Sequence, residues 1–219
     1  MNTDRILRRF LQKNPDGLTD AELLELLLRF TSPKAHVLAQ HLTEIYPSIA
    51  ALMEADSMDL SVIEGMDEES LLLLRIVPEM QRRYFLSHNE KEKRLLNGAA
   101  YGRYLLPYFF GARDEMVYLL LMDSSGSVIN CRFLGQGTVC SANVPMRRLV
   151  QEALAANASC IVLAHNHPCG LAVPSKEDVD LTFRIRESLA ILDLQLVDHV
   201  IIADDDFVSM KESGYLQEN

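Results

Sequence analysis

Two imidazoles and a carboxylate stand close together in this chain: His165-Asn166-His167-Pro168, with ten residues between His167 and Asp178. Such a set supplies the three nitrogen and oxygen ligands of a catalytic zinc and leaves a fourth position open for water. Histidines near a strand end also occur as satisfied surface or core residues, and Asp178 also fits a helix-capping role. Only six histidines occur in 219 residues, however. Two of them on one strand face, beside an acid at a turn, favour metal ligation over three separate structural roles.

The elements that must position these groups are legible around them. Cys160-Ile161-Val162-Leu163-Ala164 is short, apolar and partly β-branched, which predicts a buried strand. Residues i and i+2 of a strand share a face, so His165 and His167 can grip one ion from one side. Pro168, Gly170 and Pro174 then turn the chain, and Ser175-Lys176-Glu177-Asp178 reads as a helix start with Ser175 as N-cap and Asp178 three residues on. Capping and ligation are compatible, because a cap at Ser175 holds the helix start, and with it Asp178, in place. Strands are expected at 116–122, 128–135 and 195–203, and helices at 146–156 and 175–192. This alternation predicts an α/β or α+β domain.

The pattern His-x-His, ten residues and Asp, with Ser three before that Asp, resembles the JAMM motif of MPN-domain zinc metallopeptidases. The longer strings HNHPCGLAVPSKEDVDLT and LVDHVIIADDDFVSMKESGYL are similar to the bacterial RadC family, which carries a JAMM motif and is traditionally described as a DNA-repair family. The resemblance is strong over 98–219 and looser before it. It implies a JAB/MPN-type curved sheet flanked by helices (cytidine deaminase-like) over 98–219, holding one zinc per chain through His165, His167 and Asp178. It also implies an upstream catalytic glutamate, for which Glu115, at the entrance of the strand expected at 116–122, is the candidate. Glu152, on the helix expected at 146–156, is the weaker alternative. By resemblance the reaction is peptide or isopeptide hydrolysis on a protein or peptide substrate. Glu115 would take a proton from zinc-activated water and deliver it to the leaving amine, and Ser175 Oγ would donate to the oxyanion. Asp198-His199 matches a recurring family pair and would supply a hydrogen bond to a ligand histidine from behind. This chain has Cys169 where the family usually has serine. A thiol there is either an extra ligand or oxidation-sensitive modulator, or a small buried turn residue. Arg147-Arg148 replaces a frequent Arg-Glu.

Residues 1–97 read as a small all-helical domain, with Thr19 or Asp20 as a cap, helices at 34–46, 47–55 and 68–85, and Pro78 expected to kink the last. The RadC resemblance suggests a helix-hairpin-helix-like element at residues 60–67, but Asp67 stands where such hairpins place a second glycine, and a carboxylate repels phosphate. Residues 1–98 carry 12 Lys/Arg and 16 Asp/Glu within a total net charge of −10. Nucleic-acid domains draw affinity from basic patches, so DNA is a weakly supported partner, and a DNA-transaction accessory protein, a nuclease or a non-catalytic MPN interaction module is the alternative function. The polar start MNTDRILRRF lacks a secretory pattern, no apolar run reaches a membrane span, and the four cysteines form no C-x-x-C pair. A cytoplasmic location is the expectation.

Overall fold

The computed structural model describes residues 2–11, 17–89, 94–137, 145–168 and 170–216. The chain divides into two compact units, 1–81 and 82–219. The first contains α1 (Asn2–Leu11), α2 (Asp20–Leu28), α3 (Ala35–Ile45), α4 (Ile49–Glu54), α5 (Ser57–Ser61) and the start of α6 (Glu68–Asn89). Thr19 and Glu22 form a reciprocal capping box at α2, and Ser48 and Asp56 cap α4 and α5. Leucines 24, 28, 38, 42, 52, 60 and 74 make the core of this unit. Between α5 and α6 the chain turns through Gly65 at φ 92°, a backbone conformation that favours glycine. Helix α6 continues through Pro78, so the proline does not interrupt it. The residues to either side supply enough helical bonding to tolerate one missing donor.

The second unit is a five-stranded sheet between helices, the mixed α/β architecture expected. Its strands are β1 (Met116–Met122), β2 (Val128–Gln136), β3 (Cys160–Asn166), β4 (Gln195–Ala203) and β5 (Asp206–Ser209), and its helices after α6 are α7 (Gly98–Phe109), α8 (Met146–Ala155) and α9 (Lys176–Ala190). The strand order is β2-β1-β3-β4-β5. Only β3 and β4 are parallel, which requires a crossover, and α9 provides it. Alternation along the strands sorts the side chains into two layers. Leu119, Leu121, Ile161, Leu163 and Leu196 face α8 and α9, while Leu120, Met122, Val162, Ala164 and Val200 face α7.

In this second unit two elements carried no expectation, α7 and β5, and they pack on each other. A Cβ added at Gly102 of α7 would lie 2.1 Å from the Phe207 ring of β5, so only glycine permits this approach. At β4 the register skips Val197: Ile161 pairs with Leu196 but Val162 pairs with Asp198. The bulge reverses the alternation, so Asp198 falls on the α7 side and His199 on the α9 side. Among the described residues no helix is long and apolar enough to cross a membrane.

Candidate metal centre

The crossover β3–α9–β4 brings the carboxyl end of β3 against the first turn of α9. His165 is buried near the end of β3, and His167 follows the strand and is half-buried. Asp178, buried in the first turn of α9, meets both. Its Oδ1 lies 3.1 Å from His165 Nε2 and its Oδ2 3.5 Å from His167 Nε2. The two Nε2 atoms are 3.0 Å apart, and the three donor atoms all lie within 4.8 Å of one another.

These distances suit a metal. Zn–N bonds of about 2.0–2.1 Å at a tetrahedral angle place two nitrogens roughly 3.3 Å apart. His167 Nδ1 lies 3.1 Å from the Leu171 carbonyl, which can only accept, so Nδ1 carries a proton and Nε2 faces the cluster. Two nitrogens 3.0 Å apart beside a carboxylate need a shared cation, either a proton or a metal, to offset lone-pair repulsion. The acid–base balance agrees. The hydrogen bond to Asp178 holds the His167 pKa above its ordinary value despite burial, and Glu115 adds to the effect. Burial works to raise the Asp178 pKa, but the hydrogen bonds from His165, His167 and Ser175 outweigh it and hold the carboxyl well below the usual range.

Asp178 is held by the helix start as the sequence predicted. Ser175 is the N-cap of α9: its Oγ accepts from Asp178 N at 3.1 Å, and Asp178 Oδ2 accepts from Ser175 N at 2.8 Å. Ser175 Oγ–H donates to that same Oδ2 at 2.6 Å. The Ser175 proton is therefore directed at Asp178 here, not at the position expected for an oxyanion.

Glu115 immediately precedes β1, two residues before Val117, whose Cα partner is His165. Strand alternation puts Glu115 on the face that carries His165. Asn166, lying between the two histidines, holds that strand entrance. Its Oδ1 accepts from Met116 N at 2.7 Å, and its Nδ2 donates to the Asp114 carbonyl at 3.2 Å. The peptide groups on either side of Glu115 are thus clamped by a residue inside the His-x-His motif. Glu152 is elsewhere, paired with Arg132 at 3.5 Å on a partly exposed face.

Behind His165, its Nδ1 is 2.8 Å from His199 Nε2, and His199 Nδ1 is 2.6 Å from Thr182 Oγ1, which also lies 2.5 Å from the Asp178 carbonyl. Burial pushes the His199 pKa well below the ordinary imidazole value. Asp198 turns to the other face of the sheet, where it accepts from Ser209 Oγ, His199 N and Lys211 N. Of the expected pair, only His199 touches a histidine of the cluster. Cys169 lies outside the described residues. Arg148 donates to the carbonyls of Phe133 and Leu134, where β2 carries a bulge against β1. Sequence reasoning missed Asn166 and Thr182. Thr182 was findable as the residue four beyond Asp178 on the same helix face, whereas nothing in the local pattern distinguished Asn166 from a spacer. A cavity of about 300 Å³ lined by Arg186, Leu194, Leu196 and Lys211 lies at the far ends of β4 and α9, and none of the cluster residues lines it.

Comparison with known proteins adds to this geometry. A family model described as the RadC-like JAB domain matches residues 96–215. The chain is 33% identical over 215 residues to a UPF0758 protein of Pseudomonas syringae pv. tomato, covering 97% of this chain and 96% of the relative. A UPF0758 protein of Azotobacter vinelandii is 35% identical with the same coverage, and one of Aeromonas hydrophila is also 35% identical.

Proposed function

For a chain that belongs to the RadC-like JAB domain family, we propose a zinc-dependent hydrolase of the JAMM type, cutting peptide or isopeptide bonds in a protein or peptide substrate. The observation that carries this reading is the convergence of His165 Nε2, His167 Nε2 and an Asp178 oxygen within 4.8 Å, and the position of Glu115 two residues before Val117, the partner of His165, supports it. When bound there, zinc supplies a Lewis acid that lowers the pKa of water from about 16 toward about 7. Glu115 accepts the proton of the attacking water at a carboxylate oxygen. It returns that proton to the amide nitrogen as the C–N bond breaks, so one acid–base group serves both steps. Asn166 keeps the Glu115 peptide groups in place, so its carboxylate does not have to be reoriented for each turnover. Ser175 aims Asp178, and to donate to an oxyanion its hydroxyl would have to turn away from Oδ2.

A DNA-transaction role finds less support. Asp67, in the candidate hairpin, places its Oδ1 2.8 Å from Ser70 N and so caps α6 with a carboxylate where a phosphate would have to approach. Its pKa is lowered by the hydrogen bonds from Ser70, so it stays charged.

The test combines metal content with turnover. Protein purified without chelator should carry one zinc per chain and cleave members of a library of peptides and isopeptide-linked peptides. Glu115→Gln should keep the zinc and lose on the order of 10²–10⁴ in kcat, the usual worth of a positioned general acid–base. Absence of stoichiometric zinc, or full activity in Glu115→Gln, would overturn the reading.

A further inference from the structure

A chain of hydrogen bonds runs behind the cluster, from the Asp178 backbone through Thr182 and His199 to the His165 ring, and its proton positions can be worked out from one end. The Asp178 carbonyl can only accept, and Thr182 Oγ1 lies 2.5 Å from it, so the single hydroxyl proton of Thr182 sits on that line. Met210 Sδ, at 3.6 Å, is a far weaker alternative acceptor. Having spent its proton, Thr182 Oγ1 meets His199 Nδ1 at 2.6 Å as an acceptor, so Nδ1 carries the hydrogen. His199 is fully buried, and its ring contacts are Thr182 and His165, with no carboxylate among them. An imidazolium without a carboxylate partner is strongly disfavoured at such a site, so the ring is neutral and its Nε2 is a bare acceptor. His165 Nδ1, 2.8 Å away, must then be the donor.

We propose that Thr182 and His199 are positioning residues that keep a proton on His165 Nδ1, so that Nε2, 3.1 Å from Asp178 Oδ1 and 3.0 Å from His167 Nε2, is the nitrogen left to face a metal. The proposal rests on the metallohydrolase reading only in taking that nitrogen to serve a metal. The direction of the hydrogen-bond chain is set at the Asp178 carbonyl, so one ligand's backbone fixes the tautomer of another ligand's ring. Without the Thr182 hydroxyl, His199 Nδ1–H has no acceptor. The ring is then better satisfied with its proton on Nε2, donating to His165 Nδ1. That reversal drives the His165 proton onto Nε2 and blocks the ligand position.

The discriminating pair is Thr182→Val, which keeps the shape and removes the hydroxyl, and Thr182→Ser, which keeps the hydroxyl. In metal-free protein with 15N-labelled histidine, ring nitrogen shifts report the tautomer directly. Wild type and Thr182→Ser should show His165 protonated at Nδ1, and Thr182→Val should shift it toward Nε2. Zinc affinity from competition titration should fall about 10–100-fold in Thr182→Val, the usual effect of removing a group that orients a metal-bound histidine, and stay within about threefold in Thr182→Ser. A wild-type His165 with no proton on Nδ1 would overturn the proposal even if the valine variant failed to fold. So would a folded Thr182→Val with the wild-type tautomer and zinc affinity. Wild-type protein that shows the Nδ1–H tautomer but takes up no zinc would instead sink the hydrolase reading and leave the tautomer lock supported.

Discussion

At the N-terminus of α9 the two carboxylate oxygens of Asp178 have different principal partners: Oδ1 faces His165 Nε2 at 3.1 Å, while Oδ2 is held by Ser175 N at 2.8 Å and Ser175 Oγ at 2.6 Å. Capping and ligand geometry are thus one arrangement, with the cap fixing the rotamer that presents Oδ1. Ser175→Ala removes both the N-cap and one support of Asp178. Loss of an N-cap costs about 1 kcal/mol, and loss of a hydrogen bond to a metal-binding carboxylate lowers metal affinity roughly 10-fold or more. Chemical denaturation and zinc titration of Ser175→Ala should show both losses, and Ser175→Thr should recover most of each. A variant that loses stability but binds zinc like wild type would reduce Ser175 to a cap alone.

Among the elements, β4 decides which side chains reach the cluster. Its bulge at Val197 turns His199 toward α9 and Asp198 toward α7, so a pair adjacent in sequence serves opposite layers. The α7–β5 contact is equally specific. At Gly102, in the interior of a helix, alanine would gain about 1 kcal/mol in propensity. Its Cβ, however, would lie 2.1 Å from the Phe207 ring, and overpacking of that kind costs typically 1–3 kcal/mol. The clash wins, because α7 and β5 are each held by the rest of the unit and the ring atoms involved are not a flexible chain end. Thermal unfolding of Gly102→Ala should therefore show net destabilisation, and a raised Tm would mean that the ring moves freely.

Across the whole molecule, stability without metal should depend on pH through two histidines whose pKa values are displaced in opposite directions from the ordinary 6.5. His199 is held low by burial. Below that ordinary value the unfolded chain takes up a proton that the folded protein refuses, and stability falls as pH falls. His167 is held high by Asp178. Its contribution is complete below the ordinary value and is lost as pH rises through the raised one. From these two groups, chelator-treated protein should be most stable near neutral-to-slightly-acid pH and weaken on either side. Saturating zinc should abolish the alkaline fall, because the metal replaces the His167 proton. Urea unfolding across about pH 5 to 9, with and without zinc, checks both signs. A metal-free protein whose stability rises steadily through neutrality would contradict the pairing of His167 with Asp178.

By itself, the sequence determined the types of the clustered side chains, their spacing and the elements that carry them. Period-two and apolar patterns marked β1, β3 and β4, turn residues marked the return from His167, and a Ser-x-x-Asp start marked α9. These are local signals, written within a few residues of the atoms they describe. What only the tertiary structure decided were the relations between segments far apart in the chain. Glu115 is brought to the sheet edge beside His165 because β1 pairs with β3 in a register that sets Val117 against His165. Asn166 became a clamp because that same pairing brings Asp114 and Met116 against it. Thr182 and His199 joined His165 because the α9 crossover lays β4 beside β3, and a single bulge in β4, too slight to leave a compositional trace, chose which of two neighbouring residues would face it. Short β5 and glycine- and proline-containing α7 escaped notice for a related reason: each is stabilised by the other's surface and not by a pattern of its own.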